Sequence, residues 1–139
     1  MIDCIFCDIV AGTAPSARVA EDEHTVSFMD INPVNPGHVL TVTRRHAVDI
    51  WDLAREEAAN LMAATHRVCE LTRQALDPDG LNLFVANGAI GGQTVFHVHM
   101  HSIPRWADDA WIDPWSPAPG DADAIAEVAQ RIRSAAIDA

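Results

Sequence analysis

The run Phe96-His97-Val98-His99-Met100-His101-Ser102-Ile103 decides how this sequence is interpreted, because it places three histidines at alternating positions. Alternate residues of an extended strand point to the same face of a sheet. The spacing therefore predicts that His97, His99 and His101 lie side by side. An imidazole can act as a nucleophile, a proton carrier, a hydrogen-bond donor to phosphate or a metal ligand, and its unperturbed pKa is about 6.5. Such a row predicts a chemically active site.

The chemistry of that site stays open on the histidines alone. Two histidines at positions i and i+2 of a strand can hold a catalytic zinc ion together with a third ligand from elsewhere. Just upstream lies Gly91-Gly92-Gln93-Thr94, where paired glycines let backbone N–H groups approach an anion closely. A Gly-Gly pair by itself is most often only a turn. Phosphate chemistry and metal chemistry are therefore both compatible with the run.

Length and composition predict one domain over residues 1–139, since domains cluster around roughly 100–150 residues. A chain of this length can bury enough apolar side chains to form a hydrophobic core. No apolar run approaches the roughly 18 residues that span a bilayer. The N-terminus lacks the basic start of a secretory signal. We therefore expect a cytoplasmic protein with no membrane partner.

The charge of the chain restricts its partners. The formal net charge of −11 argues against nucleic acid and anionic membranes, which bind basic surfaces. All nine basic residues are arginine, so mechanisms that need lysine are excluded. No carboxylate lies between Asp30 and Asp49 or between Asp79 and Asp108, and these two windows hold five of the seven histidines. A small anionic ligand suits these windows, although apolar strands alone would produce the same pattern.

Apolar periodicity and turn residues predict the order of helices and strands. Two short strands are expected between Val19 and Met29, and a buried strand follows the turn Asn32–Gly37. That buried strand covers His38–Thr43. The remaining elements are a long helix over Leu53–Leu76, strands over Asn82–Ala86 and Val95–Ile103, and an amphipathic helix over Asp121–Ala135. A meander of strands with a helix against one face is an α+β fold.

The combination of motifs is more specific than any one of them. Asn87, Gly91-Gly92-Gln93, the three histidines and Ile103-Pro104-Arg105 together resemble the signature of the histidine triad (HIT) family of nucleotide hydrolases and transferases. The likeness extends upstream in order and spacing, through Ile5–Gly12, Phe28–Pro33, Pro36–Leu40 and Arg45-His46. It covers roughly residues 4–106 and leaves 107–139 as a tail and a C-terminal helix.

This resemblance implies a role for each histidine of the signature. His99 would be the nucleophile that attacks the α-phosphorus and forms a nucleotidyl-histidine intermediate. His101 would lie near the phosphate and the leaving group, and His97 would be structural. His38 matches a fourth histidine that supports the nucleophile's ring, and Gln93 matches a donor toward the bridging or leaving atom. Crowded imidazoles disfavour added positive charge, which helps to keep one ring neutral and nucleophilic.

The resemblance also implies a nucleotide site. Asp30 would accept hydrogen bonds from the ribose hydroxyls, although a cap for the turn at Asn32-Pro33 would need the same residue. Phosphate contacts are implied for Asn87, Gly92 and Thr94. A base needs an apolar slot, for which the matching residues are Phe6, Ile9 and Ile31, with Ile5 and Phe28 beside them. Core packing would favour the same residue types.

Cys4 and Cys7 form a CxxC motif that the sequence alone leaves as redox-active, structural or incidental. Resemblance to bacterial HIT proteins with this N-terminus implies a structural zinc ion bound by Cys4, Cys7, His46 and His97, a ligand set that suits tetrahedral zinc. Unpaired thiols in a reducing compartment are the alternative.

Taken together, the resemblance implies a HIT-fold homodimer with a continuous sheet, which cleaves purine nucleoside phosphoramidates or related adenylates. A dinucleoside polyphosphate hydrolase and a non-catalytic nucleotide sensor or scaffold are the alternatives. Ser102 departs from the family pattern, where an apolar residue is usual after the third histidine. A buried hydroxyl at this position needs a hydrogen-bond partner.

Overall fold

An antiparallel five-stranded sheet organises the computed structural model, which describes residues 3–111 and 115–135. The strands lie in the order β1-β2-β3-β5-β4 and are β1 (Arg18–Glu21), β2 (Thr25–Met29), β3 (Val39–Thr43), β4 (Gly80–Phe84) and β5 (His99–Arg105). Three α-helices accompany them: α1 (Ile5–Ala11), α2 (Arg55–Leu76) and α3 (Ala122–Ser134). The predicted α+β class is confirmed. No helix among the described residues has the length and apolarity needed to cross a membrane.

Helix α1 packs on one face of the sheet. The Sγ of Cys4 accepts a hydrogen bond from the Cys7 N–H and caps its first turn, and Gly12 ends it in the left-handed conformation at φ 80°. The helix buries Phe6 and Ile9 against the sheet residues Val26, Phe28, Leu40 and Val42. This packing places the first turn of α1, with its two cysteines, close to the histidines of β5.

Helix α2 covers the opposite face and follows the predicted periodicity. Its buried residues recur at three and four positions: Leu61, Ala64, Thr65, Val68 and Thr72. The helix begins two residues later than predicted, where the Glu57 carboxylate accepts the Ala54 N–H. Met62 and Leu76 continue the apolar periodicity of the helix sequence but are 49% and 42% exposed. The sheet therefore covers a narrower stripe of the helix than the sequence pattern suggests.

Strand β5 begins at His99 and not at Val95, so the expectation of three histidines on one strand is wrong. The Val98 N–H donates to the carbonyl of Ala47 over 2.7 Å, which directs this segment toward the loop after β3. Pairing with β3 starts at His99, opposite Val42. His97 therefore precedes the strand, and only His99 and His101 share its face. The neighbouring strand β4 likewise runs over Gly80–Phe84 and not Asn82–Ala86.

The turn before His38 is fixed by tight packing. Gly37 has φ +89°, and a Cβ there would lie 2.5 Å from Leu76 Cδ1 and 2.9 Å from Pro104 Cγ. Glycine is therefore required both for the backbone conformation and for the space. The buried Asn35 amide donates to the Pro104 carbonyl and to Asp109 Oδ2, each over 2.9 Å. The turn is thus attached to the end of β5.

The segment after β5 is held by ion pairing. Asp109 accepts two hydrogen bonds from the Arg105 guanidinium, at 2.8 and 3.0 Å, and another from the Trp106 N–H. These bonds, led by the one from Arg105, hold the pKa of Asp109 well below its usual range. The same guanidinium lies 5.0 Å from the ring centre of Trp111. Arg105 and Asp109 thereby fix the course of the chain as it leaves the sheet.

Helix α3 forms where the sequence predicts it. Asp121 caps it by accepting the Ala124 N–H. None of its residues is buried. Its apolar face is therefore formed but is not covered by the rest of the described chain.

Ser102 is fully buried on the α2 side of the sheet. Its Oγ has no hydrogen-bond partner among the described residues, apart from a weak interaction with the Cys69 thiol. On the same side of the sheet, the Ser27 hydroxyl is equally buried but bonds to Thr41 Oγ1 over 2.9 Å. The two serines therefore provide a matched pair.

We expect Ser102→Ala to raise the free energy of unfolding by about 1 kcal/mol, because it removes a buried hydroxyl that gains little from its surroundings. Ser27→Ala should lower it by about 1–2 kcal/mol, because it leaves Thr41 without its partner. Urea denaturation followed by circular dichroism measures both. Equal losses for the two variants would contradict this account of Ser102.

Candidate active site

His99 and His101 border a cavity of about 560 Å³ between α1 and the sheet. Asp30 and Thr94 line it as well. So do the five residues of the predicted base slot, Ile5, Phe6, Ile9, Phe28 and Ile31. Phe6 and Phe28 are buried, whereas Ile31 is 89% exposed and lies at the rim. The structure therefore brings the predicted nucleophile, the predicted ribose ligand and the apolar residues to one cavity.

The protonation state of the buried His99 ring follows from one hydrogen bond. Its Nδ1 lies 2.7 Å from the backbone carbonyl oxygen of His97. A carbonyl only accepts hydrogen bonds, so Nδ1 carries the proton and Nε2 keeps its lone pair. The Phe6 ring and the imidazole form a T-shaped pair, with ring centres 5.0 Å apart. His99 is thus fixed in the tautomer that a nucleophilic Nε2 needs.

His97 has the opposite arrangement. Its Nε2 lies 2.7 Å from the Thr43 carbonyl oxygen and must carry the proton. Its unprotonated Nδ1 faces two thiols, with Cys4 Sγ and Cys7 Sγ each 3.5 Å away. The ring is fully buried. His97 is therefore oriented toward the cysteines and away from the cavity that His99 and His101 border.

His38 and His101 form a chain of hydrogen bonds. The Val34 N–H donates to His38 Nδ1 over 3.0 Å, so the His38 proton must lie on Nε2. That nitrogen is 2.9 Å from His101 Nδ1, which accepts it. A neutral His101 then carries its own proton on Nε2, where it can be donated to a ligand. The expectation that His38 supports the nucleophile's ring is corrected here, because the ring it bonds is His101.

Burial keeps these rings uncharged near neutral pH. It lowers the pKa of His38, His97 and His99 below the ordinary value. Burial and the adjacent rings of His99 and His38 lower the pKa of His101 to about 4. The Asp30 carboxylate acts in the opposite direction on His38, His99 and His101 without cancelling the effect of burial. Each ring therefore has one proton, and the hydrogen bonds above determine its position.

Asp30 caps the turn, as one of the two sequence interpretations requires, and also lines the cavity. Its Oδ1 accepts the Asn32 N–H over 2.8 Å and so caps the turn. Its Oδ2 lies 3.4 Å from His38 Nε2, and the residue lines the cavity. Oδ1 therefore stabilises the turn, and Oδ2 lies near His38.

The loop from Asn87 to Gln93 is held by its own hydrogen bonds. The N–H groups of Gly91, Gly92 and Gln93 bond to carbonyls within the loop. The Gln93 side chain accepts the Gly88 N–H and donates to the carbonyls of Val48 and Val95. Asn87 Oδ1 accepts the Ile50 N–H.

These bonds differ from the expectation that Gln93, Asn87 and the glycine N–H groups are direct donors to a ligand. Among the residues predicted to contact phosphate, Thr94 lines the cavity, whereas Asn87, Gly92 and Gln93 are absent from its lining. The backbone of a tight loop satisfies its own polar groups first. In this structure, the side chains of Gln93 and Asn87 therefore stabilise the loop through hydrogen bonds to the backbone.

Four side chains converge beside the active site as a candidate metal centre. The ligand atoms of Cys4, Cys7, His46 and His97 all lie within 4.8 Å of one another. Cys7 Sγ lies 3.3 Å from His46 Nδ1. Burial and the Cys4 thiol raise the pKa of Cys7 to about 11, so a bound cation would have to promote its ionisation. Two sulfurs and two imidazole nitrogens suit tetrahedral zinc, and His97 presents the correct nitrogen.

A second cluster, formed by Asp30, His38 and His101, has similar spacing but a different proton arrangement. His38 Nδ1 already accepts the Val34 N–H, so its Nε2 is protonated and is not a ligand. A metal there would require either loss of that backbone bond or an imidazolate. The hydrogen bonds therefore favour a proton-carrying role for this cluster and a metal-binding role for the cysteine cluster.

Phe84 was missed in the sequence analysis. Its ring stacks on His101, with centres 4.3 Å apart and planes inclined by 13°. The register that pairs Phe84 with His101 across β4 and β5 brings the two rings together. An aromatic residue in the strand preceding the glycine loop was the only signal available, and without the strand register it had no assignable contact.

Comparison with known proteins identifies the relationship of the chain. The model of the HIT domain matches residues 11–108. A crystal structure of a HIT family member from Bacillus subtilis superposes with a TM-score of 0.92 at 33% identity, over 99% of this chain and 100% of that one.

Two further solved structures are informative. A zinc-bound histidine triad family protein from Mycobacterium smegmatis has a TM-score of 0.76 at 37% identity, with 84% of each chain covered. A histidine triad nucleotide-binding protein from Candida albicans has a TM-score of 0.84 at 26% identity, over 94% of this chain and 95% of that one. The Bacillus subtilis and Mycobacterium smegmatis structures are each more than 30% identical to this chain and cover most of it.

The lowered pKa of His101 predicts a dependence of stability on pH. The folded chain keeps this ring neutral down to its pKa of about 4, whereas the unfolded chain takes up the proton near pH 6.5, at about the unperturbed pKa. Between these values the unfolded state binds more protons, so the free energy of unfolding should fall as the pH falls. In His101→Asn the amide oxygen can still accept from His38 but does not titrate, so part of this decline should disappear. Urea unfolding of both proteins from about pH 7 to about pH 4 measures it. Identical declines would contradict the assignment.

Proposed function

The chain belongs to the HIT domain family, and from this premise we propose that it cleaves nucleotides at the α-phosphate through a nucleotidyl intermediate on His99. The observation that carries the proposal is the bond from His99 Nδ1 to the His97 carbonyl. It leaves Nε2 of a buried, neutral ring with a free lone pair at the cavity wall. A nucleophile of this kind attacks phosphorus without first losing a proton.

In the first displacement, the His99 Nε2 lone pair forms a bond to the α-phosphorus. The bond from phosphorus to the leaving group breaks, and its electron pair departs with that group. The ring becomes cationic while its Nδ1–H stays bonded to the His97 carbonyl, which stabilises the new charge. His101 Nε2–H donates a hydrogen bond to the phosphate or to the leaving atom.

In the second displacement, water attacks the same phosphorus and the electron pair of the phosphorus–nitrogen bond returns to His99 Nε2. Over both steps the water provides a hydroxyl to phosphorus and a proton to the leaving group. The bond from His38 Nε2 to His101 Nδ1 keeps His101 oriented as a donor throughout. His38 and His101 thus position and stabilise, and His99 carries the covalent bond.

The cavity supports a purine nucleoside monophosphate as the group transferred. Its apolar residues, chiefly Phe6, Ile9 and Phe28, suit the faces of a base, and Asp30 Oδ2 suits the ribose hydroxyls. Thr94 suits a phosphate oxygen. Nucleoside phosphoramidates and related adenylates present a suitable leaving group on this phosphorus, and we propose them as the substrate class.

We further propose a structural zinc ion bound by Cys4, Cys7, His46 and His97. The convergence of these four ligands and the unprotonated Nδ1 of His97, which faces the two cysteines, support it. Zinc would link the first turn of α1 to the segment that precedes β5.

We also propose a cytoplasmic location. The three cysteines of the described residues form no disulfide, which suits a reducing compartment.

A homodimer with a continuous sheet is also part of the proposal. Strand β4 lies at an edge of the sheet, and its sequence Gly80–Phe84 contains no charged residue and no proline. Edge strands that lack such protection readily pair with another strand. Antiparallel pairing of β4 with the β4 of a second copy would join the two sheets.

The zinc proposal predicts about one zinc ion per chain in the purified protein and its loss in Cys4→Ser. The variant should also have a lower melting temperature, because metal binding contributes to folding. Cys69→Ser is the matched control, since Cys69 lies on α2 outside the cluster. Elemental analysis and thermal unfolding measure both. Retention of zinc in Cys4→Ser, or equal loss in Cys69→Ser, would contradict the assignment.

The catalytic proposal predicts that His99→Ala lowers turnover of adenosine phosphoramidate by about four orders of magnitude or more, while nucleotide still binds. His66→Ala, on the exposed side of α2, is the control. Denaturing the parent enzyme at alkaline pH during turnover should trap a phosphorus–nitrogen adduct on His99, detectable by mass spectrometry.

Two outcomes would overturn this proposal. Normal turnover in His99→Ala would exclude His99 as the nucleophile. Binding of nucleotide by the parent protein without any product would favour a sensor. Comparing adenosine phosphoramidate with diadenosine tetraphosphate separates the proposed substrate class from a dinucleoside polyphosphate hydrolase.

A further inference from the structure

A nearly parallel aromatic ring lies against His101. The Phe84 ring centre is 4.3 Å from that of His101, and the two planes are inclined by 13°. The rings of His38 and His99 also lie near His101, but their planes are inclined to it by 50° and 56°. Among these three neighbours, Phe84 is therefore the one that lies face to face with His101.

Strand pairing produces this contact. Phe84 and His101 are directly opposite each other in the antiparallel pair of β4 and β5. Opposite residues of such a pair project from the same face of the sheet. His101 borders the active-site cavity, so Phe84 lies on the cavity side, whereas the next opposed pair, Leu83 and Ser102, lies on the α2 side. The register of the sheet therefore fixes Phe84 beside His101.

The hydrogen bond to His101 does not by itself fix the orientation of the ring. His38 Nε2–H donates to His101 Nδ1 over 2.9 Å, but the same nitrogen lies 3.4 Å from Asp30 Oδ2. The donor thus has a second acceptor close by. A single hydrogen bond also lets the plane of the accepting ring tilt about the direction of that bond. A parallel ring against the face of the imidazole restricts this tilt.

We infer that Phe84 is a positioning residue, whose ring keeps the His101 imidazole in the orientation from which its Nε2–H is donated to the transferred phosphate or to the leaving atom. This inference rests on the proposed function, in which His101 is that donor. Phe84 lines a different cavity, together with Trp111 and Trp115, and is absent from the lining of the cavity that His99 borders. Phe84 therefore acts on the reaction through His101.

A double-mutant cycle on the turnover of adenosine phosphoramidate tests this route. Phe84→Leu keeps an apolar side chain but removes the flat ring, so it should lower kcat about tenfold and change KM less than about twofold. In the background of His101→Asn the same substitution should change kcat less than about twofold, because the ring that Phe84 positions is then missing. Losses that multiply in the double variant would overturn the inference, since Phe84 would then act independently of His101.

Two further variants separate the ring from the strand that carries it. Leu83→Ala is the matched control, because Leu83 and Phe84 are 39% and 41% exposed in the same strand but only Phe84 is opposite His101. It should leave kcat within about twofold of the parent value, whereas Phe84→Tyr, which keeps the ring, should retain the parent kcat. An equal loss of kcat in Leu83→Ala would assign the effect to β4 or to its pairing with a second copy, and would overturn the inference. Because both side chains are partly exposed, the domain should fold in each variant.

The orientation of His101 can also be measured without turnover. The ring current of a stacked aromatic residue shields protons above its face, so the carbon-bound ring protons of His101 should move downfield in the NMR spectrum of Phe84→Leu. They should keep the parent shift in Leu83→Ala and in Phe84→Tyr, and the signals missing in His101→Asn identify them. Unchanged His101 shifts in Phe84→Leu would overturn the inference. Absence of turnover in the parent protein would overturn the proposed function, and the shifts would still decide whether Phe84 orients His101.

Discussion

The arrangement of the site depends on one buried residue, His97, which uses both ring nitrogens and its backbone carbonyl. Its Nε2–H is bound by the Thr43 carbonyl, its Nδ1 faces the two cysteines, and its own carbonyl accepts the proton of His99. The candidate metal cluster and the candidate nucleophile therefore share a residue. A displacement of His97 would change the orientation of His99 and the direction of its lone pair.

Much of the fold could be predicted because local patterns determine it. The stripe of α2, the capped α3 and the strands β2 and β3 follow from periodicity and turn residues. The start of β5 could not be predicted. The sequence pattern predicts extended strand from Val95 through Val98. In the structure, the Val98 N–H bonds to the distant Ala47 carbonyl, so this segment does not pair with the sheet. The spacing of the histidines was correct evidence for a site and misleading evidence for a single strand.

The site was predicted in part for a similar reason. The family resemblance named Asp30, His99 and the apolar residues by position, and the structure brings these residues to one cavity. The partners that fix each proton are backbone groups or depend on strand register. The Val34 N–H, the Thr43 carbonyl and the stacked Phe84 therefore gave no signal. The partner of His38 was misassigned because His101, and not His99, lies within hydrogen-bond distance of it.

The shared carboxylate of Asp109 has a consequence for how this protein can diverge. It binds Arg105 at the end of β5 and Asn35 in the turn before His38, so the residues between Arg105 and Asp109 form a bridge of fixed length. Insertions or deletions there would displace the turn and with it His38. The stretch that precedes α3 makes no such bridge among the described residues. Variation in chain length should therefore be absent between Arg105 and Asp109 and be better tolerated in the tail, where it would not displace His38.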